Sequence, residues 1–164
     1  MNHEESILQQ QCVSWFRSQY PQYAMLLVHP INEGSGHTRT DRMRQGIHKA
    51  EGAVAGVPDL LFFIPSIFTD GEMKGLVCHG LGIEFKTAKG RQSQEQKDFQ
   101  KMFEMADYMY VVVKDLDEFR HIMNCYIEMA TQWMRRKVAA AHVEIVKAAE
   151  EREKERFYKI IGKK

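Results

Sequence analysis

Residues 60–64 (LLFFI) form an apolar run of strand length with no polar alternation, and this run constrains the fold more than any other feature of the chain. A strand apolar on both faces has to be covered on both, which places it inside a layered sheet. A second strand is expected from about residue 76 to 86, ending in Ile83-Glu84-Phe85-Lys86. Residues 24–29 (AMLLVH) read as a third, closed by Pro30, and residues 108–113 (YMYVVV) as a fourth by their β-branched and aromatic content. Residues 65–75 are turn-rich and predict a hairpin connection. Leu8, Cys12, Trp15 and Phe16 recur at helical spacing near the start, with Asn2 as N-cap and Glu5 at the capping-box position. Tyr20-Pro21 should end that helix, because the residue before a proline avoids the helical region. Ser93 and Gln96 make the same capping signature for a second helix, whose apolar side would be Phe99, Met102, Phe103 and Ala106. Asp115 caps a third, running to about Met129. The order α-β-β-β-α-β-α, followed by a helical tail, predicts an α/β domain with a mixed sheet.

A chain of 164 residues fits one such domain, and its 44% apolar and 27% charged residues exclude the disordered and low-complexity classes. No stretch approaches 18 uncharged apolar residues, so no membrane span is expected, and the N-terminus lacks the regions of a signal peptide. Cys12, Cys78 and Cys125 are far apart and read as small buried hydrophobes of a cytoplasmic protein. The seven histidines form no ligand spacing with them, so zinc is not expected. The net charge of +1 conceals an asymmetry. Residues 131–164 hold ten Lys/Arg against five Glu, leaving −4 on the rest, and such a basic tail suits a polyanion or self-association. Residues 31–54 carry four glycines, three arginines and no apolar period, as a loop that orders on a ligand would.

Chemistry concentrates where the central strands end. Side chains alternate along a strand, so Glu84 and Lys86 share a face while Phe85 points the other way. Asp59 begins the neighbouring strand. Converging carboxylates suit Mg²⁺, a hard ion that prefers oxygen ligands, and the Phe85 carbonyl would supply a further one. Lys86 would then orient water or offset phosphate charge. A plain Glu–Lys ion pair beside a strand-initiating Asp explains the same residues without catalysis.

The segments GVPDLLFF and GIEFKTAKGRQSQEQKDFQ, with ESILQQQCVSWFR, HPIN at 29–32 and YMYVVV, together resemble the PD-(D/E)xK nuclease superfamily, and more narrowly its VRR-NUC branch. The resemblance spans roughly residues 4–128. It implies a restriction-endonuclease-like core, a mixed sheet of about four strands flanked by helices, over residues 1–130, with 131–164 as a C-terminal basic helical extension. It implies Asp59 and Glu84 as metal ligands and Lys86 as the catalytic lysine. Glu5 matches the acidic residue of the first helix that joins the site, with Glu4 as its competitor and the capping box as its alternative role. Gln96 matches a glutamine near the site, and capping explains it nearly as well. The expected cofactor is Mg²⁺, with Mn²⁺ substituting. The expected partner is DNA, branched or flapped, held by Asn32, Arg39, Arg42, Arg44, Lys49, Lys89 and Arg91. The resemblance also makes a homodimer attractive, and it points to the cytoplasm of a bacterial or phage-infected cell. The competing expectations are a nuclease-fold module that binds without cutting, and a scaffold working through its tail.

Overall fold

The structure, a computed structural model, describes residues 3–30, 47–68 and 74–162. Helix α1 (His3–Gln19) buries Gln9, Cys12 and Phe16. Leu8 and Trp15 pack partly buried against the same core. The expected cap Asn2 lies outside the described residues.

The first strand is shorter than the sequence predicts. Pro21–Leu26 is a 3₁₀ helix, and only Leu27–Val28 form β1. Pro21 stands at the start of that helix, where its fixed φ favours helical winding and its missing N–H costs nothing. The turn also brings Tyr23 edge-on to Phe62 at 6.4 Å.

β2 is Leu60–Phe62, and a two-stranded ribbon follows, in which β3 (Ser66–Ile67) pairs with β4 (Val77–Cys78). This is the hairpin expected of residues 65–75. The long strand predicted over 76–86 is two strands, β4 and β5 (Leu81–Phe85), parted at His79-Gly80. Gly80 lets the chain cross there, since a Cβ on it would sit 2.8 Å from the Phe62 carbonyl oxygen.

α2 (Gln94–Met105) starts with the full capping box of Ser93 and Gln96. Its apolar side is narrower than predicted. Phe99 and Phe103 meet tilted with centroids 5.4 Å apart, and Phe103 stacks on Tyr108 at 4.4 Å, but Met102 is 65% exposed. Residues four apart make the line that meets the sheet, and Met102 falls on its flank. β6 (Met109–Val113) comes next, then α3 (Leu116–Ile161). Asp115 accepts from the Glu118 N–H at 2.8 Å, and the Glu118 carboxylate accepts from the Lys114 N–H at 2.8 Å, so α3 begins with a reciprocal cap. The helix is unbroken through residue 131, where the sequence suggests a division, but among the described residues its buried stripe of Phe119, Met123, Tyr126 and Ile127 ends at Ala130.

The main sheet has the order β1-β2-β5-β6, antiparallel except for the parallel β5–β6 pair. It is the mixed four-stranded sheet that the sequence implies. On one face Phe62 meets Phe16 and Tyr126, and Phe85 meets Phe119, so α1 and α3 lie there. The other face is covered by α2, where a Cβ on Gly82 would touch Phe103 and Pro58 at 3.0 Å. Cys12 and Cys78 are buried as expected, but Cys125 is exposed. Cys125 stands on α3 outside the buried stripe, four residues after His121. Among the described residues no helix is long and apolar enough to cross a membrane.

Candidate metal and phosphodiester site

Strand register brings the carboxylates together. Leu60 pairs with Ile83 in the antiparallel β2–β5 ladder, so one step further Asp59 falls opposite Glu84. All five β5 residues are buried, and Ile83 and Phe85 fill the α1/α3 side, which leaves Glu84 and Lys86 facing α2. The two charged side chains form an ion pair between Lys86 Nζ and Glu84 Oε1. Asp59 Oδ2 accepts from the Phe85 backbone N–H at 2.8 Å, fixing the Asp59 carboxylate to the strand that bears Glu84.

Gln96 serves both roles that the sequence leaves open. Its Oε1 accepts from the Ser93 N–H at 2.8 Å, closing the capping box, and its Nε2 donates to Glu84 Oε1. Glu5 also reaches the site from α1, its Oε1 accepting from the Thr87 N–H at 3.3 Å, whereas Glu4 is exposed. Lys89 and Arg91 are exposed on the turn just beyond Lys86, and Lys49 is exposed in a helical turn at 47–50. Asn32, Arg39, Arg42 and Arg44 lie outside the described residues.

Sequence reasoning missed three participants. Tyr110 donates to Glu84 Oε2 at 3.4 Å, which its pairing with Gly82 in the parallel ladder permits, because laterally paired residues share a face. Gln9, buried on α1 one turn after Glu5, reaches the Asp59 backbone, as does His29. The i, i+4 spacing of Glu5 and Gln9 is the one sequence signal that foreshadows this.

Burial pushes the Asp59 carboxyl above its ordinary range, opposed by the Phe85 N–H and Lys86 and reinforced by the charge of Glu5. Burial likewise raises Glu84, opposed by its Lys86 hydrogen bond and reinforced by Asp59. Three carboxylates therefore meet one ammonium, and the two that lie opposite each other repel. A divalent cation would relieve that imbalance, and the donors are the carboxylate oxygens that Mg²⁺ prefers. Among the described residues no three His, Cys, Asp or Glu side chains converge into a ready cage.

The arrangement is a mixed four-stranded sheet whose central strands carry facing acidic residues, with a lysine two residues on. A solved structure described as a "VRR_NUC domain protein" is similar to this chain, with a TM-score of 0.60 and 22% identity, covering 79% of this chain and 92% of that one. The fold is that of a VRR-NUC domain. No family model and no curated protein matches the chain by sequence.

Proposed function

We propose that the chain belongs to the VRR-NUC nucleases and is a Mg²⁺-dependent DNA endonuclease, selective for branched structures such as flaps or four-way junctions. The observation that carries this reading is the meeting of Asp59, Glu84 and Lys86 at the ends of β2 and β5, with Gln96 and Glu5 reaching in from two helices. Asp59 and Glu84, the Phe85 carbonyl and Glu5 would hold the ion. When bound, Mg²⁺, or Mn²⁺ in its place, supplies charge neutralisation and a more acidic water. Lys86 Nζ, buried and held by Glu84, orients the attacking water and offsets charge gathering on the phosphate oxygens. Gln96 fixes the rotation of the Glu84 carboxylate, because its other end is anchored in the α2 cap. Lys89 and Arg91 follow Lys86 on an exposed turn and hold the DNA backbone. Lys49 is proposed as a further backbone contact, as are Asn32, Arg39, Arg42 and Arg44, which lie outside the described residues. Contacts of this kind carry little base information, so binding should fall steeply with salt.

The test is cleavage of single-stranded, duplex, flap and four-way-junction DNA in millimolar Mg²⁺ or Mn²⁺, with EDTA as blank. Wild type should cut, and Lys86→Ala should lose roughly 10²–10³-fold or more in kcat while keeping DNA affinity. Failure to cut any substrate, with tight junction binding retained, would leave a binding module and end the nuclease reading.

A further inference from the structure

The peptide at Asp59 is held by an arrangement that the metal chemistry does not itself require. β1 and β2 pair Leu27 with Phe62 and Val28 with Leu61. Two steps further in that register residue 30 faces Asp59, and it is a proline, with no N–H to give. The ladder cannot continue there. The Asp59 carbonyl takes two side-chain donors instead.

His29 Nδ1 lies 2.6 Å from the Asp59 carbonyl oxygen, Gln9 Nε2 lies 3.5 Å from the same oxygen, and the two nitrogens are 3.2 Å apart. A carbonyl oxygen only accepts, so His29 Nδ1 must carry a hydrogen. The Gln9 amide nitrogen is itself a donor and hence no partner for it. Both donors converge on the two lone pairs of one oxygen. Gln9 is buried, an uncommon place for a glutamine, while the His29 ring is exposed at the edge of the sheet. Glu5, one helical turn before Gln9, binds the backbone just past Lys86. One face of α1 therefore grips both strand ends that carry the site.

We infer that Gln9 and His29 are positioning residues, which fix the Asp59 peptide and so aim the Asp59 carboxylate at the ion. The inference rests on the proposed metal-dependent function. Groups hydrogen-bonded to a ligating side chain typically contribute ~10- to 100-fold in metal affinity or activity, and partners bonded to the ligand's own peptide should fall at the lower end of that range. On this reading Gln9 and His29 act through the Asp59 peptide, so their effect should appear in metal binding and not in DNA affinity.

The experiment is calorimetric titration of the full chain with Mn²⁺ in the absence of DNA. Wild type, Gln9→Ala, His29→Ala, His29→Asn and Asp59→Asn are compared, and cleavage is followed as a function of metal and of DNA concentration. Gln9→Ala and His29→Ala should each weaken Mn²⁺ about tenfold or more, raise the metal concentration for half-maximal cutting in step, and leave the KM for DNA unchanged. His29→Asn can present an amide N–H near the place of Nδ1 and should recover most of the loss. His29 is exposed, so its variants leave the core intact and remain informative if Gln9→Ala unfolds. Wild-type Mn²⁺ affinity in both alanine variants overturns the positioning role alone, with the nuclease reading untouched. A loss that His29→Asn does not restore and that also raises the KM makes His29 a DNA contact and overturns it as well. If wild type and Asp59→Asn take up no Mn²⁺ alike, and nothing is cut, the proposed function falls and this inference with it.

Discussion

Gly56→Ala is the substitution whose cost the structure specifies best. Gly56 has φ +84°, and a Cβ on it would lie 2.2 Å from the carbonyl oxygen of Glu95 and 2.9 Å from the backbone nitrogen of Gln96. Both neighbours are backbone at the capped start of α2, so no side chain can swing aside. Left-handed backbone costs a non-glycine residue about 1–2 kcal/mol. Real Cβ contacts keep 3.0 Å, so loop and helix must also part by about 0.8 Å. Forcing such a gap into packed structure adds roughly 1–3 kcal/mol. The expected loss is thus about 2–5 kcal/mol, or a Tm lower by on the order of 10 °C for a chain of this size. Gly52→Ala is the control. Gly52 has φ +102° and nothing within 4 Å of its would-be Cβ, so it shares the backbone strain without the collision. Urea unfolding of the metal-free proteins measures both, with midpoints compared at unchanged slope. The reasoning also predicts impaired cutting in Gly56→Ala beyond its stability loss, because Asp59 follows three residues later and Gln96 bonds Glu84. A Gly56→Ala no less stable than Gly52→Ala would refute the collision argument.

Two further outcomes follow from the same structure. Asp59→Asn should abolish cutting and yet stabilise the metal-free protein at neutral pH. Burial raises the Asp59 and Glu84 carboxyls above the ordinary 3.8 and 4.5, so between those values and the raised folded ones the native state holds more protons than the unfolded chain. Stability of metal-free wild type therefore falls as pH rises through that window, and thermal melts should show Asp59→Asn melting above wild type near pH 7.5 and level with it near pH 3. Saturating Mn²⁺ should reverse the order at neutral pH, adding ~2.7 kcal/mol to wild type at a hundred times its Kd. Tyr126→Phe removes the hydroxyl that donates to the Ile64 carbonyl at 2.7 Å on the face of the sheet away from Glu84. It should cost about 1–3 kcal/mol in denaturant unfolding while leaving cleavage unchanged.

What the sequence could convey depended on how local the cause was. The Ser93–Gln96 cap and the opposite facing of Glu84 and Phe85 arise within a few residues and are present in the structure, whereas the strand expected over 60–64 ends at Phe62 and leaves Phe63 48% exposed. The 3₁₀ helix at Pro21–Leu26 is also local, but the apolar run AMLLVH outweighed the proline in the reading of the sequence. The split of the predicted 76–86 strand was hidden because Gly80 owes its role to Phe62, eighteen residues earlier. Composition made all three cysteines buried, whereas the angular position of Cys125 on α3 decides its exposure. At the site, Asp59, Glu84 and Lys86 were legible because they interrupt strand text. Tyr110, Gln9 and His29 were not, since their roles follow from register between segments far apart in the chain. Gln96 shows the limit of choosing between roles, because one amide serves both the cap and Glu84.

The unbroken α3 gives the protein a direction as well as a shape. Its first turns are set in the core through Phe119, Met123 and Tyr126, and beyond Ala130 the same helix continues for a further 31 residues, about 45 Å at helical rise. The far end is therefore held at a set distance and a set bearing from the rest of the fold. One inserted residue near 131 would advance that end by only ~1.5 Å but swing it by about 100°. Seven inserted residues would lengthen the arm by about 10 Å and return it nearly to its original bearing. Reach and bearing are separately adjustable in such an arm, and small changes in length mostly alter which way it faces.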